Sequence, residues 1–252
     1  MPERTAAQKA GAAKSLLLSR RRARAKKIIA VLKKLFPTAH VALNFSTPWE
    51  LTVAVILSAQ TTDKKVNEIT PSLFKKYPTP ASMARATQKE FEQAIKTIGL
   101  YRAKAKNILA TARIIVEKYN GTVPRTMDEL TALPGIGRKT ANIILSNAFG
   151  ITEGIAVDTH VRRLALKLGL TDSTNPEIIE RDLMAIFHKK EWADLNHRLV
   201  MYGRAICTAR KHDCRNHPLT RIYPPAAAIW FSPSARPLAH TKKILLGGAL
   251  RK

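Results

Sequence analysis

Hydrophobic positions recur at helical spacing along most of the chain. In the segment 26–36, KKIIAVLKKLF, apolar side chains return every three or four residues, and the pattern ends at Pro37. The stretch 46–60, STPWELTVAVILSAQ, begins with a capping Ser or Thr, has a Pro in its first turn and continues through nearly uninterrupted apolar residues. These patterns predict an amphipathic helix followed by a buried helix that ends near Gln60.

Further segments have the same helical character. They are 62–77, 87–99, 101–119, 126–133, 137–149, 157–170, 175–187 and 191–207. The connections between them carry Pro, Gly, Asn and Asp, and no segment shows a sustained two-residue alternation. The sequence therefore predicts an all-α fold. Residues 224–252, which are rich in Pro, Ala and basic residues, are interpreted as a tail.

Charge sets the chain apart from an ordinary soluble protein. Its 252 residues include 43 Lys and Arg but 18 Asp and Glu, so that the formal net charge is +25. A surplus of this size favours a polyanionic partner such as a nucleic acid. Residues 1–25 are interpreted as a basic N-terminal arm, disordered or helical, that touches phosphates. A mitochondrial presequence is the alternative for this segment.

Two further classes of protein do not fit the sequence. The lack of any apolar run of about 18 or more residues argues against a membrane span. A disulfide-stabilised secreted protein is excluded because Cys207 and Cys214 are the two cysteines of the chain. A reducing compartment suits this composition.

A turn of Pro and Gly separates two of the predicted helices. In LPGIGRKTANIILSNAFG, at 133–150, residues 134–137 join a short helix to one that begins with an Arg–Lys pair. Glycines permit positive φ and leave the turn amides uncovered, and a bare helix N-terminus binds phosphate. The segment predicts a helix-hairpin-helix that grips a nucleic-acid backbone, although a plain turn between core helices has the same pattern. The candidate binding residues are Gly135, Gly137 and Arg138.

Four segments together resemble the endonuclease III family of DNA repair glycosylases. They are LSAQTTDKKVNEIT, IGLYRAKAKNI, LPGIGRKTANIILSNAFG and AVDTHVRRLALKLGL, and they follow the family's order and approximate spacing within residues 26–214. The resemblance implies a two-lobed fold with a cleft between a six-helix barrel lobe and a lobe formed by both chain ends. The implied boundaries are 41–151 for the barrel lobe, 126–149 for its helix-hairpin-helix, and 26–40 plus 152–223 for the second lobe.

The resemblance places Lys139 and Asp158 opposite each other across that cleft. The amine of Lys139 would displace a damaged base at the sugar C1′ and stay attached as a Schiff base, so that the C2′ proton is lost and the 3′ phosphate is expelled by β-elimination. Asp158 would stabilise positive character on the sugar and assist deprotonation of the amine. Taken singly, Lys139 is also explained as a surface residue and Asp158 as a helix cap.

The target base lies inside a duplex, so the nucleotide has to be flipped out and the gap filled. The resemblance assigns this step to the loops that carry SAQTTD and GLYRAK, which makes Gln60 and Leu100 the candidate wedges. A side-chain amide that bonds the backbone at a helix end is the alternative for Gln60, and a structural hydrogen bond is the alternative for His160. The remaining DNA-binding candidates are Thr61, Thr62, Asp63 and His160.

The C-terminal loop departs from the family pattern. Family members commonly hold a four-iron, four-sulfur cluster on four cysteines, whereas this loop has Cys207 and Cys214 and places His217 and Tyr223 at the other two ligand positions. Because four Cys ligands are the rule, we expect no cofactor and no iron–sulfur cluster. A zinc site that uses Cys207, Cys214, His217 and His212 is the alternative.

Together these features predict a DNA base excision repair enzyme, which removes oxidised pyrimidines as an N-glycosylase and cleaves the 3′ side of the abasic site as a lyase. A non-catalytic helix-hairpin-helix DNA-binding protein is the alternative, and an RNA-binding protein is a third possibility. The expected partner is double-stranded DNA with damaged bases or abasic sites, and a monomer is expected. The expected location is the cytoplasm or nucleoid if the protein is bacterial, with a nuclear or mitochondrial location left open.

Overall fold

The computed structural model describes residues 5–229, and every regular element within that range is helical. The predicted all-α fold class is confirmed. The α-helices are α1 (Ala6–Leu35), α2 (Pro48–Ser58), α3 (Asp63–Lys76), α4 (Pro80–Ala84), α5 (Gln88–Ala94), α6 (Tyr101–Tyr119), α7 (Met127–Thr131), α8 (Arg138–Phe149), α9 (Thr159–Lys167), α10 (Pro176–Ile186), α11 (Trp192–Ala205) and α12 (Pro218–Ile222). Two 3₁₀ turns, Lys189–Glu191 and Pro224–Ala227, complete the described elements.

Threonine side chains begin many of these helices. In each case the hydroxyl oxygen accepts a hydrogen bond from a backbone N–H in the first turn, which satisfies one of the donors that a helix start leaves unpaired. At α2 the cap is Thr47, which accepts from Glu50, and Pro48 follows it at the first helical position. The N-cap threonines are Thr5, Thr47, Thr62, Thr79, Thr87 and Thr126.

The chain divides into two compact units. One is His40–Ala156, and the other combines Met1–Ala39 with Val157–Lys252. In the first unit the core is built around α2, which the sequence predicted to be buried: Trp49 and all residues from Leu51 to Leu57 are buried. Helices α3, α6 and α8 pack on α2. This arrangement fixes the elements that carry the hairpin and the two predicted wedge loops.

In the second unit, α1 packs on α10, α11 and α12. The fully buried stripe Ala25, Ile28 and Leu32 faces this core. The helix begins twenty residues earlier than the apolar periodicity predicted. Residues 6–24 precede that stripe, and they continue the helix because Ala, Leu, Lys and Arg are strong helix formers. A capping box between Thr5 and Gln8 stabilises the start of the helix.

Several basic side chains of α1 bind within their own unit, although the sequence analysis assigned residues 1–25 to a phosphate-binding arm. Arg24 donates to the carbonyl oxygens of Leu168 and Gly169 at the end of α9, at 3.1 and 2.6 Å, and its guanidinium lies 3.8 Å from the ring centroid of Tyr223. Arg22 likewise donates to the carbonyl of Ala185 in α10. Cations suit these positions because helix C-termini expose unpaired carbonyls.

The described chain also extends into the predicted tail. Residues 224–227 form a 3₁₀ turn, and Ala226 and Ile229 are buried, so the folded unit continues past residue 223. The rest of the predicted tail, 230–252, lies outside the described residues. Among the helices of residues 5–229, none combines the length and the apolar character that crossing a membrane requires.

We predict that Arg24→Met lowers the free energy of unfolding by about 2 kcal/mol, because it leaves carbonyls at the end of α9 without their donor and removes the cation from the Tyr223 ring. The control is Arg20→Met, an exposed position of the same helix, which should change stability by less than about 0.5 kcal/mol. Urea unfolding measures both, and equal effects would contradict the assignment of Arg24 as an anchor of α1.

Candidate functional site

The predicted helix-hairpin-helix consists of α7, a turn at residues 132–137 and α8. Two buried side chains, Leu133 and Ile136, anchor the turn in the core. The Ile136 N–H also donates a hydrogen bond to the Leu133 carbonyl at 3.2 Å. The buried Thr111 hydroxyl also donates to the carbonyl of Pro134 at 3.0 Å. Gly137 is the N-cap of α8 and provides no side-chain hydrogen bond to the helix start. The first amides of α8 are therefore not covered by a capping side chain.

The two glycines of the turn serve different purposes. Gly135 has φ 79°, and a Cβ there would lie 2.9 Å from Asn107 Nδ2, so both the backbone conformation and the packing require glycine. Gly137 has φ −93°, and a Cβ there would meet nothing within 4 Å. The predicted need for positive φ thus applies to Gly135 alone. At Gly137 the glycine keeps the space in front of the α8 N-terminus open.

Arg138 and Lys139 occupy the first turn of α8 and are both exposed. The opposite side of the helix carries the buried residues Ala141, Ile144 and Leu145, and α8 packs on α2. Lys139 therefore projects outward beside the open N-terminus of α8. This position combines an amine with a helix end that attracts anions.

Asp158 lies at the start of α9, in the other compact unit. Its Oδ1 atom accepts a hydrogen bond of 2.8 Å from the N–H of Val161, so the capping role that the sequence left open is present. The cap uses one of the two carboxylate oxygens and fixes the orientation of the side chain, which is partly exposed. A fixed carboxylate of this kind is suited to stabilising a developing positive charge.

The two predicted wedge loops adjoin each other within the first unit. A Cβ on Gly99 would lie 3.7 Å from the Gln60 carbonyl and 3.9 Å from Thr61 Oγ1. Gln60 and Leu100 both adopt left-handed backbone, with φ 54° and 58°, and both are exposed. Leu100 exposes 58% of its surface, which is unusual for a large apolar side chain. Strained, exposed residues of this type cluster at functional sites.

Lys104 supports these loops and was missed by the sequence analysis. Its ammonium donates to the carbonyls of Leu57 and Ala59, at 2.8 and 2.5 Å, and to Thr61 Oγ1 at 2.9 Å. Burial lowers the pKa of Lys104 to about 8. The sequence does contain a sign of this buried role. Lys104 lies four residues before Ile108, on the face of α6 where helical periodicity predicts an apolar residue.

The other DNA-binding candidates have contacts of their own. Thr62 caps α3 by accepting from the Lys65 N–H, and Asp63 is the first residue of that helix. His160 Nδ1 lies 3.5 Å from an Arg163 guanidinium nitrogen, and a Cβ on Gly203 would lie 2.6 Å from the same ring atom. The His160 ring is therefore packed against α11.

The prediction that the protein has no cofactor is wrong. One ligand atom each from Cys207, His212, Cys214 and His217 lies within 4.8 Å of the others, and such a group could hold a metal ion. The prediction was based on the family's cysteine spacing along the chain, which places Tyr223 at the fourth ligand position. In the fold, Tyr223 instead lies under the Arg24 guanidinium, and the four residues that come together are those of the alternative zinc site, His212 included.

Both thiols of this group are buried, and cationic side chains lie next to them. The Lys167 ammonium donates to Cys214 Sγ at 3.1 Å, and an Arg163 nitrogen lies 3.9 Å from Cys207 Sγ. Burial raises the pKa of Cys207 above its ordinary value, while the charge of Lys167 acts in the opposite direction. Burial also lowers the pKa of His217.

Comparisons with known proteins agree with the fold and with the hairpin. The model of the HhH-GPD superfamily of base excision DNA repair proteins matches residues 53–189. Endonuclease III of Synechocystis sp. is 46% identical over 84% of this chain and 96% of its own length. Endonuclease III of Escherichia coli K12 is 43% identical over 74% of this chain and 88% of its own length.

Solved structures of Endonuclease III with DNA are also similar to this chain. A non-covalent Endonuclease III–DNA complex is 43% identical with a TM-score of 0.77, and the match covers 81% of this chain and 96% of that chain. A trapped Endonuclease III–DNA covalent intermediate is 44% identical with a TM-score of 0.75, over 80% of this chain and 94% of that chain.

We predict that the two hairpin glycines respond differently to alanine. Gly135→Ala should lower the free energy of unfolding by about 1–3 kcal/mol, since it introduces strain at positive φ and contacts Asn107. Gly137→Ala should cost less than about 1 kcal/mol but should weaken DNA binding, because a methyl group then stands before the α8 amides. Thermal unfolding and titration with abasic duplex separate the two effects. Wild-type DNA affinity in Gly137→Ala would contradict the open N-terminus as a phosphate site.

Proposed function

The chain belongs to the HhH-GPD superfamily of base excision DNA repair proteins and, within it, to the endonuclease III family, and on that basis we propose that Lys139 and Asp158 carry its reaction. The protein is a DNA base excision repair enzyme, a DNA glycosylase and abasic-site lyase that acts on double-stranded DNA. The relatives give no support to a non-catalytic DNA-binding protein.

The position of Lys139 supports its role as the nucleophile. Its amine is exposed in the first turn of α8, beside backbone amides that no capping side chain covers. A DNA phosphate held at this helix end would bring the adjoining sugar within reach of the amine. The observation that carries the proposal is therefore the pairing of an exposed Lys with an open helix N-terminus in one hairpin.

The proposed reaction has two stages. The lone pair of the Lys139 amine attacks the sugar C1′, the glycosidic bond breaks, and the damaged base leaves with a proton. The nitrogen lone pair then breaks the C1′–O4′ bond, O4′ takes up a proton as the sugar ring opens, and a protonated Schiff base to C1′ results. The resulting Schiff base acidifies the C2′ proton, whose loss expels the 3′ phosphate by β-elimination, and water then releases the sugar from the lysine. Asp158 stabilises the positive charge that develops on the sugar and accepts the proton from the attacking amine.

Gln60 and Leu100 are proposed to fill the space that the flipped nucleotide leaves. Their support is that both side chains are exposed on adjoining loops with left-handed backbone, and that the Lys104 ammonium hydrogen-bonds the loop that carries Gln60. Leu100 provides an apolar surface against which bases stack, and Gln60 provides an amide that can hydrogen-bond the opposite base. Thr61, Thr62, Asp63 and His160 remain predicted DNA contacts.

Oxidised pyrimidines are the proposed substrates, as the resemblance in the sequence implies. The relatives named above are bacterial, and we propose that the protein works on the DNA of the nucleoid. A basic chain with a formal net charge of +25 would be drawn to that DNA by electrostatic attraction.

Lys139→Ala should abolish the covalent adduct that borohydride traps between the protein and a duplex with one abasic site, because the Schiff base requires this amine. The matched control is Lys89→Ala, since Lys89 is also the exposed second residue of a helix, α5. Asp158→Asn should still be trapped, at a lower rate. Trapping that persists in Lys139→Ala would assign the nucleophile to another amine.

Leu100→Gly should separate stability from activity. Glycine relieves the left-handed strain at this exposed position, so the melting temperature should stay unchanged or rise, whereas excision from duplex DNA should fall at least about tenfold because the wedge is lost. Asn120→Gly is the control, as Asn120 has φ 50° at the other end of α6. Equal excision rates for wild type and Leu100→Gly would remove Leu100 from the wedge.

A further inference from the structure

We propose that Cys207, His212, Cys214 and His217 bind a single zinc ion in a tetrahedral site. The four ligand atoms converge within 4.8 Å of one another. Bond lengths of about 2.3 Å to sulfur and about 2.0–2.1 Å to nitrogen place the ligand atoms of a tetrahedral zinc roughly 3.3–3.8 Å apart. The group already approaches this size, since Cys214 Sγ lies 3.4 Å from His212 Nε2.

The orientation of His212 is that of a metal ligand. Its Nδ1 lies 2.6 Å from the carbonyl oxygen of Arg210. A carbonyl can only accept, so Nδ1 carries the proton in this bond and Nε2 keeps its lone pair. That lone pair is on the ring nitrogen nearer to Cys214 Sγ. Histidines that bind metals usually donate their second ring N–H to a carbonyl or carboxylate in this manner.

His217 provides a second and independent observation. Its Nδ1 atom is buried and has no hydrogen-bond partner among the described residues. A buried ring nitrogen without a partner is costly, and a bound metal ion would satisfy it. A backbone hydrogen bond from the His217 N–H to the Cys214 carbonyl, at 3.2 Å, holds these two ligand residues in one tight turn.

Cationic neighbours complete the surroundings expected of metal-bound thiolates. The buried Lys167 donates to Cys214 Sγ, and Arg163 lies beside Cys207 Sγ and donates to the Cys207 carbonyl at 2.7 Å. Hydrogen bonds to ligand sulfur orient the ligands and stabilise their negative charge. Two thiolates and two neutral imidazoles around Zn²⁺ give a site without net charge, which suits its burial.

The same residues do not fit the four-iron, four-sulfur cluster that the family commonly holds. Such a cluster takes four thiolates, and each thiolate binds a different iron, so its ligands stand further apart than the ligands of one ion. Here two of the four ligands are imidazoles and all four ligand atoms crowd around one point. A tetrahedral set of two sulfurs and two nitrogens is typical of zinc.

The role that follows is structural. Four protein ligands leave no open position for a substrate, and closed zinc sites contribute directly to folding. The ion would tie the end of α11 to the start of α12 and order the loop between them. That loop carries the exposed basic residues Arg210, Lys211 and Arg215.

The test is the metal content of the untagged full-length protein, purified from medium that contains both zinc and iron. We expect about one zinc per chain, no acid-labile sulfide and no iron–sulfur absorption in the visible range. His212→Ala and Cys214→Ser should each lose most of the zinc, whereas His188→Ala, an exposed histidine outside the group, should retain it. Cobalt substitution should give the absorption bands of a tetrahedral site with thiolate ligands.

Each other outcome overturns the proposal. Iron with sulfide at cluster stoichiometry would establish an iron–sulfur cluster, and a folded wild-type protein without metal would show that the loop needs none. Zinc that survives in His212→Ala and in Cys214→Ser would be adventitious. Circular dichroism controls for misfolding of the variants, and chelation of wild-type zinc should lower the melting temperature without any substitution.

Discussion

The backbone amides at the start of α8 have no capping side chain, yet the turn before them is held in one place. A Gly cap gives up about a few tenths of a kcal/mol of stability relative to a Ser, Thr, Asp or Asn cap, and here the cap is Gly137. The turn below offsets this loss through buried contacts: Ile136 is buried, Thr111 bonds the Pro134 carbonyl, and Gly135 packs against Asn107. The start of α8 is thus left uncovered, while buried contacts behind it hold the turn in place.

The loops that carry Gln60 and Leu100 follow the same principle with different chemistry. Two residues with side chains, Gln60 and Leu100, adopt a backbone conformation that favours glycine. Lys104 holds one of these loops with three hydrogen bonds, so that every N–H of its ammonium has an oxygen partner. A buried charge is tolerated because it is fully hydrogen-bonded. The strained surface residues Gln60 and Leu100 and the buried, hydrogen-bonded Lys104 are therefore parts of one arrangement.

The sequence predicted those parts of the molecule that depend on local pattern. The stripes of α3, α6 and α10 follow helical periodicity, and the hairpin has a characteristic turn sequence. Helices α4 and α12, of five residues each, were missed, whereas the equally short α7 was recognised because it adjoins the hairpin turn. The contacts of Arg24 and Lys104 join residues far apart in the chain and cannot be read from local pattern. The family's cysteine spacing points to Tyr223 as the fourth ligand position, whereas the four residues named for the alternative zinc site, with His212, are the ones that lie together, because spacing along the chain does not report proximity in space.

The Cys207–His217 loop has a consequence for the conditions under which the protein can work. Zinc has no redox chemistry of its own, whereas the iron–sulfur cluster that the family commonly holds is a redox centre. A chain whose loop is ordered by zinc needs neither iron nor sulfide to mature. Its folded state would not depend on the oxidation state of a metal.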